Sequence, residues 1–178
     1  MNSLKKNIVK IPDSSEGNFV IKYFPNWSIP YLHLSRADRP TGTWLLLLPC
    51  LFGILLACIE KNNFSISFYE IWLLIACSIG AFLMRGAGCT WNDILDKDYD
   101  AKVKRTQNRP IPSGQVTIRR AIYWMIVQSL LAFTILLTFN KFSILIACLS
   151  LLLVAIYPLA KRFTWWPQIF LGLAFNWG

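Results

Sequence analysis

Long apolar runs separated by polar segments dominate the pattern of this chain. Four of these runs cover residues 41–59, 65–84, 121–139 and 142–159. A helix needs about 20 apolar residues to cross the hydrocarbon core of a bilayer, so these runs predict four transmembrane helices.

A fifth apolar run covers residues 165–178. At about 1.5 Å per residue it would be about 21 Å long as a helix, short of a hydrocarbon core of about 30 Å. The predicted fold is therefore all-α: a polytopic transmembrane helical bundle with four full spans and a truncated fifth.

Residues 1–35 differ from the rest of the chain. Their first part mixes lysines with acidic residues and has no apolar core, which argues against a cleavable signal peptide. Aromatic residues and prolines then alternate over residues 19–34, which favours a segment lying along the membrane surface. We therefore divide the chain into a polar N-terminal tail and interfacial segment, residues 1–35, and a membrane domain, residues 36–178.

Composition agrees with a membrane protein and excludes several other classes. The chain is 55% hydrophobic and 15% aromatic, which is too apolar for an ordinary soluble domain. Its five cysteines form no CxxC pair, so we interpret them as small apolar residues rather than as a disulfide framework. No motif for nucleic acid or for a nucleotide occurs, so neither is expected as a partner.

The positive charges predict an orientation in the lipid bilayer. Of the 18 lysines and arginines, six precede the first span, seven lie between the second and third, and two follow the fourth. The two alternate links hold one each. Because positive residues favour the inner side of a membrane, the N-terminus and the acidic segment after the second span are expected on the cytoplasmic or matrix side. We expect a bacterial inner membrane, with the mitochondrial inner membrane as the alternative.

The most acidic part of the chain follows the second span directly. Four of the nine acidic residues lie at positions 93–100. If the second helix continues through them, one face carries an arginine, an amide and three carboxylates within roughly 100°. These residues are Arg85, Asn92, Asp93, Asp96 and Asp100. Such oxygen donors suit Mg²⁺, although acids that are merely hydrated at a helix end are the alternative.

Basic residues on the same predicted side of the membrane complete a possible diphosphate site. Arg105 and Arg109 lie in the long polar link after the acids, and Lys161 and Arg162 follow the fourth span. A metal would neutralise some phosphate oxygens and these cations would bind the others. Without the acids beside them, the same cations would indicate only topology and contact with lipid headgroups.

Several motifs resemble one known family. Asn92-Asp93-x-x-Asp96-x-x-x-Asp100 resembles the first Asp-rich motif of the UbiA-type intramembrane prenyltransferases. Four further motifs are similar to its 4-hydroxybenzoate polyprenyltransferase branch, which acts in ubiquinone biosynthesis: Arg85-Gly-Ala-Gly-Cys89, Lys104-Arg105-Thr-x-Asn108-Arg109-Pro110-x-Pro112-Ser-Gly114, Arg36-x-Asp38-Arg39-Pro40-x-Gly42-Thr43 and Tyr157-Pro158-x-x-Lys161-Arg162-x-Thr164. The resemblance covers residues 36–178.

The resemblance implies an enzyme, a Mg²⁺-dependent transferase. It would move a polyprenyl group from a polyprenyl diphosphate to the ring carbon of 4-hydroxybenzoate ortho to the phenol. The resemblance assigns Mg²⁺ to Asn92, Asp93, Asp96 and Asp100, with Asp93 and Asp96 catalytic. Diphosphate oxygens would bind Arg105, Arg109, Lys161 and Arg162. Arg85, also catalytic, would bind the carboxylate of the hydroxybenzoate, because its fork of donors matches a carboxylate.

The chain departs from the family's pattern after Asp100. The family implies further spans and a second Asp-rich motif in a later loop, but no acidic residue follows Asp100. We therefore expect the N-terminal part of such an enzyme, with a missing C-terminal half and little or no activity by itself.

Two alternatives stay open. One is a prenyltransferase of the same superfamily with another acceptor, such as a naphthoate, homogentisate, chlorophyllide or haem. The other is a non-catalytic membrane remnant or subunit, whose acids bind only lipid or counterions. A transporter is disfavoured, because the only charges within the spans, Arg85 and Glu70, lie near span ends.

Overall fold

The computed structural model describes residues 19–61, 67–175 and 177, without the side chains of residues 161–163, 167 and 175. These described residues form helices and no strand, so the predicted all-α class is confirmed. In chain order the helices are α1 (Phe19–Tyr23), α2 (Ile29–Leu34), α3 (Thr41–Glu60), α4 (Phe68–Leu95), α5 (Lys97–Asp100), α6 (Ile118–Leu136), α7 (Lys141–Phe163) and α8 (Pro167–Phe175).

Four of these helices are long and apolar enough to cross a bilayer. They are α3, α4, α6 and the part of α7 from Lys141 to Ala160, with mean hydropathies of 2.3, 1.7, 1.2 and 2.5. Their large apolar side chains are widely exposed, as is expected of surfaces that face lipid rather than water. The four predicted spans are confirmed, and the chain is an integral membrane protein.

The ends of the predicted segments follow local sequence signals. Asn140 caps α7, because its side chain accepts a hydrogen bond from the backbone N–H of Ser143 at 2.7 Å. Within the fifth apolar run, α8 begins at Pro167, a residue suited to the first turn of a helix. Asn176 and Gly178 of that run, like residues 1–18 of the predicted tail, lie outside the described residues.

The acidic stretch is not one continuous helix. As predicted, the second span continues into it, but α4 ends at Leu95. Asp96 leaves the helical conformation, with φ of −89° and ψ of 5°, and precedes the short helix α5. The supposition that one continuous helix carries Asp93, Asp96 and Asp100 is therefore wrong.

Contacts divide the chain into two units. Of the described residues, the first unit contains those up to Pro40 together with Gly86–Gln128, and the second contains those within Thr41–Arg85 and Ser129–Gly178. Helices α4 and α6 each contribute residues to both units. In the second unit, α7 packs against α8, and the indole N–H of Trp72 donates to Thr138 Oγ1 at 2.9 Å.

The first unit has a small apolar core that includes the link between α5 and α6. Leu34 of α2 packs with Ile111 and Val116 of the link and with Ala121 of α6. The backbone N–H of Val116 donates to the carbonyl of Pro110 at 2.9 Å, which closes a turn of the link. The long polar segment is therefore folded against helices through its apolar residues.

Candidate functional site

Asp93 is a buried carboxylate that two arginines approach from distant parts of the sequence. It lies in the last turn of α4 and is 1% exposed. Arg36 Nη2 donates to both carboxylate oxygens of Asp93, at 2.8 Å and 3.1 Å. Arg109 Nη1 lies 3.4 Å from Asp93 Oδ1. A buried charge is tolerated only when it is paired, and these guanidiniums supply the pairing.

Asp100 joins the same group of charges through Arg109. Arg109 Nη1 donates to Asp100 Oδ2 at 2.7 Å. The hydroxyl of Thr106, which is 4% exposed, donates to the backbone carbonyl of Asp100 at 2.9 Å and fixes the start of the link. We call the four residues Arg36, Asp93, Asp100 and Arg109 the Asp93 cluster.

Arg36 reaches the cluster from a turn with an unusual backbone. It is the one non-glycine residue with positive φ in the described part of the chain, at 53°. Burial alone would lower the pKa of Arg36, but the carboxylates of Asp93 and Asp38 raise it above its ordinary value. Arg36 therefore stays protonated, and its strained conformation is consistent with a functional position.

Asp38 lies two residues after Arg36 in the same turn. Its Oδ1 lies 3.7 Å from His33 Nδ1, and Arg39 Nε donates to its Oδ2 at 3.2 Å. Burial alone would raise the pKa of Asp38, but His33 and Arg39 outweigh it and hold the pKa below its ordinary value of 3.8.

Polar contacts with α6 and α4 hold the turn that carries Arg36. The side chains of Trp124 and Gln128 both donate to Ser35 Oγ at 2.9 Å. Gly86 of α4 packs against Ser35 and Gln128. A methyl group added at Gly86 would overlap the amide of Gln128 and lie 3.0 Å from Ser35 Cβ. Glycine at position 86 therefore permits the close packing of α2, α4 and α6 in the first unit.

The charges of the Asp93 cluster balance. Two guanidiniums face two carboxylates, so the cluster as it stands has no surplus charge for an anion. Mobile ligands with both positive and negative groups, such as a metal diphosphate, could exchange partners with it.

The other residues predicted for the site are placed differently. Asn92 and Asp96 are partly exposed, and Arg105 is exposed. The side chains of Lys161 and Arg162 lie outside the described part of the chain. Among the predicted ligands, Arg109 contacts both Asp93 and Asp100.

Arg85 lies in the second unit, near the middle of α4. A methyl group added at Gly42 of α3 would overlap the guanidinium of Arg85. The side chain of Arg85 thus lies directly against the backbone of α3, at a position where any residue larger than glycine would displace it.

The donor set fits Mg²⁺ in chemistry more than in arrangement. The acidic segment offers only oxygen donors, which a hard cation prefers. Asp93 and Asp100, however, are engaged by guanidiniums, and no three His, Cys, Asp or Glu side chains of the described residues converge on one point. These carboxylates would have to exchange their arginine partners to hold a metal.

Sequence comparison identifies the family. Residues 46–178 match the UbiA prenyltransferase family. The chain belongs to this family. Its members are transferases of prenyl groups, and the four spans and the Asp-rich segment of this chain agree with membership.

Relatives in the UbiA family are similar across most of this chain. The proteins named 4-hydroxybenzoate polyprenyltransferase, mitochondrial, are 47% identical over 159 residues in Rattus norvegicus and 47% over 163 residues in Arabidopsis thaliana. The Homo sapiens protein of that name is 50% identical over 149 residues. These matches cover 89%, 92% and 84% of this chain, but only 41%, 39% and 39% of the relatives. The chain thus spans about 40% of their length. No solved structure matches the chain significantly.

Sequence reasoning missed Arg36 as a member of the site. Arg36 belongs to a motif that resembles the family, yet no spacing rule relates it to Asp93, which is 57 residues away. The requirement that a buried carboxylate be paired with a cation from another element points to Arg36, but this signal appears only once the structure shows that Asp93 is buried.

Proposed function

We propose that this chain forms part of a 4-hydroxybenzoate polyprenyltransferase of ubiquinone biosynthesis. The whole enzyme would transfer a polyprenyl group from a polyprenyl diphosphate to the ring of 4-hydroxybenzoate. The observation that carries this proposal is the 47% identity to proteins of that name over about nine tenths of the chain.

In this proposal the Asp93 cluster receives the diphosphate. Arg36 and Arg109 release their carboxylates and donate to phosphate oxygens when the diphosphate arrives. The C–O bond then breaks with its electron pair on the diphosphate, the ring carbon ortho to the phenol donates an electron pair to the allylic cation to form the new C–C bond, and the proton of that carbon passes to an oxygen of the released diphosphate. The arginines, together with Arg105, Lys161 and Arg162, hold the leaving group as its charge develops.

Mg²⁺ is the proposed metal, held by Asn92, Asp93, Asp96 and Asp100. When bound, it would neutralise charge on the departing diphosphate. Arg85 is proposed to bind the carboxylate of 4-hydroxybenzoate, since a guanidinium donates two parallel hydrogen bonds to a carboxylate.

Activity tests the proposal with a chimera. The chain is joined to the C-terminal remainder of the human relative and expressed as one chimeric protein. Membranes that contain the chimera are incubated with 4-hydroxybenzoate, a polyprenyl diphosphate and Mg²⁺. We expect prenylated 4-hydroxybenzoate, detected by chromatography, and loss of at least a hundredfold in the Asp96→Asn variant. A folded chimera that prenylates homogentisate or a naphthoate instead would favour the alternative of another acceptor.

Binding tests the metal and diphosphate site in the 178-residue chain itself. Calorimetry measures its affinity for geranyl S-thiolodiphosphate, a diphosphate analogue with a slow leaving group, with and without Mg²⁺. We expect Mg²⁺-dependent binding that Asp96→Asn weakens roughly tenfold, as for one lost carboxylate ligand. The matched control is Asp98→Asn, because Asp98 is exposed. An affinity that changes neither when Mg²⁺ is omitted nor when Asp96 is replaced would favour the alternative of a non-catalytic membrane protein.

Arg85 is tested through its neighbour. Gly42→Ala should displace the guanidinium of Arg85 and raise the KM for 4-hydroxybenzoate in the chimera roughly tenfold, with little change in the KM for the diphosphate. Gly53→Ala is the control on the same helix, because open space surrounds Gly53. Equal effects of the two alanines would exclude this role for Arg85.

We also propose that the N-terminus and the Asp-rich segment lie on the cytoplasmic or matrix side of a bacterial or mitochondrial inner membrane. The distribution of lysine and arginine supports this orientation, and the names of the relatives favour a mitochondrial membrane. In a cysteine-free background, a membrane-impermeant thiol reagent should label Lys141→Cys from outside but not Lys102→Cys. The reverse pattern would invert the topology.

A further inference from the structure

We propose that the first unit binds one anionic phospholipid in a groove between α2 and the first turns of α6. The groove has a volume of about 490 Å³. Four aromatic residues and two arginines account for most of its lining: Trp27, Tyr31, Tyr123, Trp124, Arg119 and Arg120. None of them belongs to the Asp93 cluster, so this proposal does not depend on the proposed function.

The walls of the groove are largely carbon and are formed in advance. The rings of Tyr31 and Trp124 lie 5.5 Å apart between centroids, and the indole N–H of Trp124 donates to Ser35 Oγ at 2.9 Å. These contacts join α2 to α6 and fix the aromatic surface. A concave apolar surface with few polar groups suits an acyl chain better than a small polar solute.

The lining of the groove includes two positive charges from residues that are adjacent in the sequence. Arg119 and Arg120 are exposed side chains in the first turn of α6, which is a candidate membrane span. The ends of such spans lie at the depth of lipid phosphates, and guanidinium groups match phosphate oxygens. Trp27 and Tyr123, 75% and 71% exposed, are aromatic residues of the kind that lie at this depth.

Charge and shape together select the occupant. The two arginines favour a negative headgroup over a zwitterionic one, and the carbon-lined groove adds a place for an acyl chain. Free phosphate would use only the arginines and leave the aromatic surface uncovered. A phospholipid satisfies both parts of the site, with its phosphate at Arg119 and Arg120 and one acyl chain between α2 and α6.

Native mass spectrometry of the purified chain in detergent tests this proposal. The chain is titrated with phosphatidylglycerol, with phosphatidylcholine and with glycerophosphoglycerol, which has the headgroup without acyl chains. We expect one retained phosphatidylglycerol, at least tenfold weaker phosphatidylcholine and no retained glycerophosphoglycerol. The Arg119→Gln/Arg120→Gln variant should bind phosphatidylglycerol roughly 30-fold more weakly, as expected for two arginines near an anionic headgroup.

Two further variants separate the groove from general attraction to positive charge. Lys102→Gln/Lys104→Gln removes two exposed positive charges from the link and should change the affinity less than twofold. Ser28→Trp should fill the groove, which Ser28 lines, and weaken binding while both arginines remain. The proposal is overturned if both charge-pair variants lose equal affinity, if Ser28→Trp in a chain with unchanged circular dichroism binds normally, or if glycerophosphoglycerol binds as well as the lipid.

Discussion

Replacing Asp93 with asparagine tests whether its carboxylate stabilises the first unit. The substitution keeps the size of the side chain and removes the charge that Arg36 contacts at 2.8 Å. The side chain of Arg36 is only 13% exposed, so little water is available to solvate it once its partner is neutral. Arg109 retains Asp100 at 2.7 Å and is less affected.

The magnitude follows from these contacts. Removing one member of a buried ion pair costs roughly 3–5 kcal/mol, because the remaining charge stays buried without its partner. Since Arg109 keeps the carboxylate of Asp100, we expect the lower end of this range for Asp93→Asn, a decrease of about 3 kcal/mol in the free energy of unfolding. Adding Arg36→Gln to Asp93→Asn should restore part of this loss, because it removes the uncompensated charge.

Unfolding by SDS in mixed micelles, followed by far-ultraviolet circular dichroism, measures the effect. The control is Asp98→Asn, whose side chain is 87% exposed and should change the free energy by less than about 0.5 kcal/mol. The reasoning is refuted if Asp93→Asn and Asp98→Asn unfold alike, or if Arg36→Gln destabilises the Asp93→Asn chain further.

The same unfolding assay checks three more predictions. Gly86→Ala should lower the free energy of unfolding by about 1–3 kcal/mol, because its methyl group would overlap Gln128. Gly80→Ala is the control on the same helix; open space surrounds Gly80, so the substitution should be neutral or stabilising. Equal effects of the two alanines would contradict this packing. Gly114→Ala should cost about 1 kcal/mol, since φ is 76° at this turn, and an unchanged midpoint would show that the turn relaxes. The pKa of Asp38 is lowered in the folded chain, so its contribution is complete above pH 3.8 and is lost as the pH falls through the folded value; Asp38→Asn should remove this acid sensitivity, and an identical pH profile would argue against it.

The sequence by itself determined the membrane architecture. The number of spans follows from run length, because the thickness of a bilayer fixes how many apolar residues a helix needs. The four candidate spans occur where the apolar runs predict them, and the second continues into the acidic stretch. The Asp-rich motif and its flanking motifs also identified the family without any coordinates, and the match over residues 46–178 agrees.

Only the tertiary structure decided which charges meet. Helical periodicity describes neighbours on one helix, and it assumed a single helix through Asp100, whereas α4 ends at Leu95. Periodicity holds no information on Arg36, which is 57 residues from Asp93 in the sequence. The fold brings the two residues together, and the guanidinium supplies the positive charge that a buried carboxylate requires. The packing of α2 on α6 is likewise a tertiary contact, and it places the aromatic groove and its two arginines side by side.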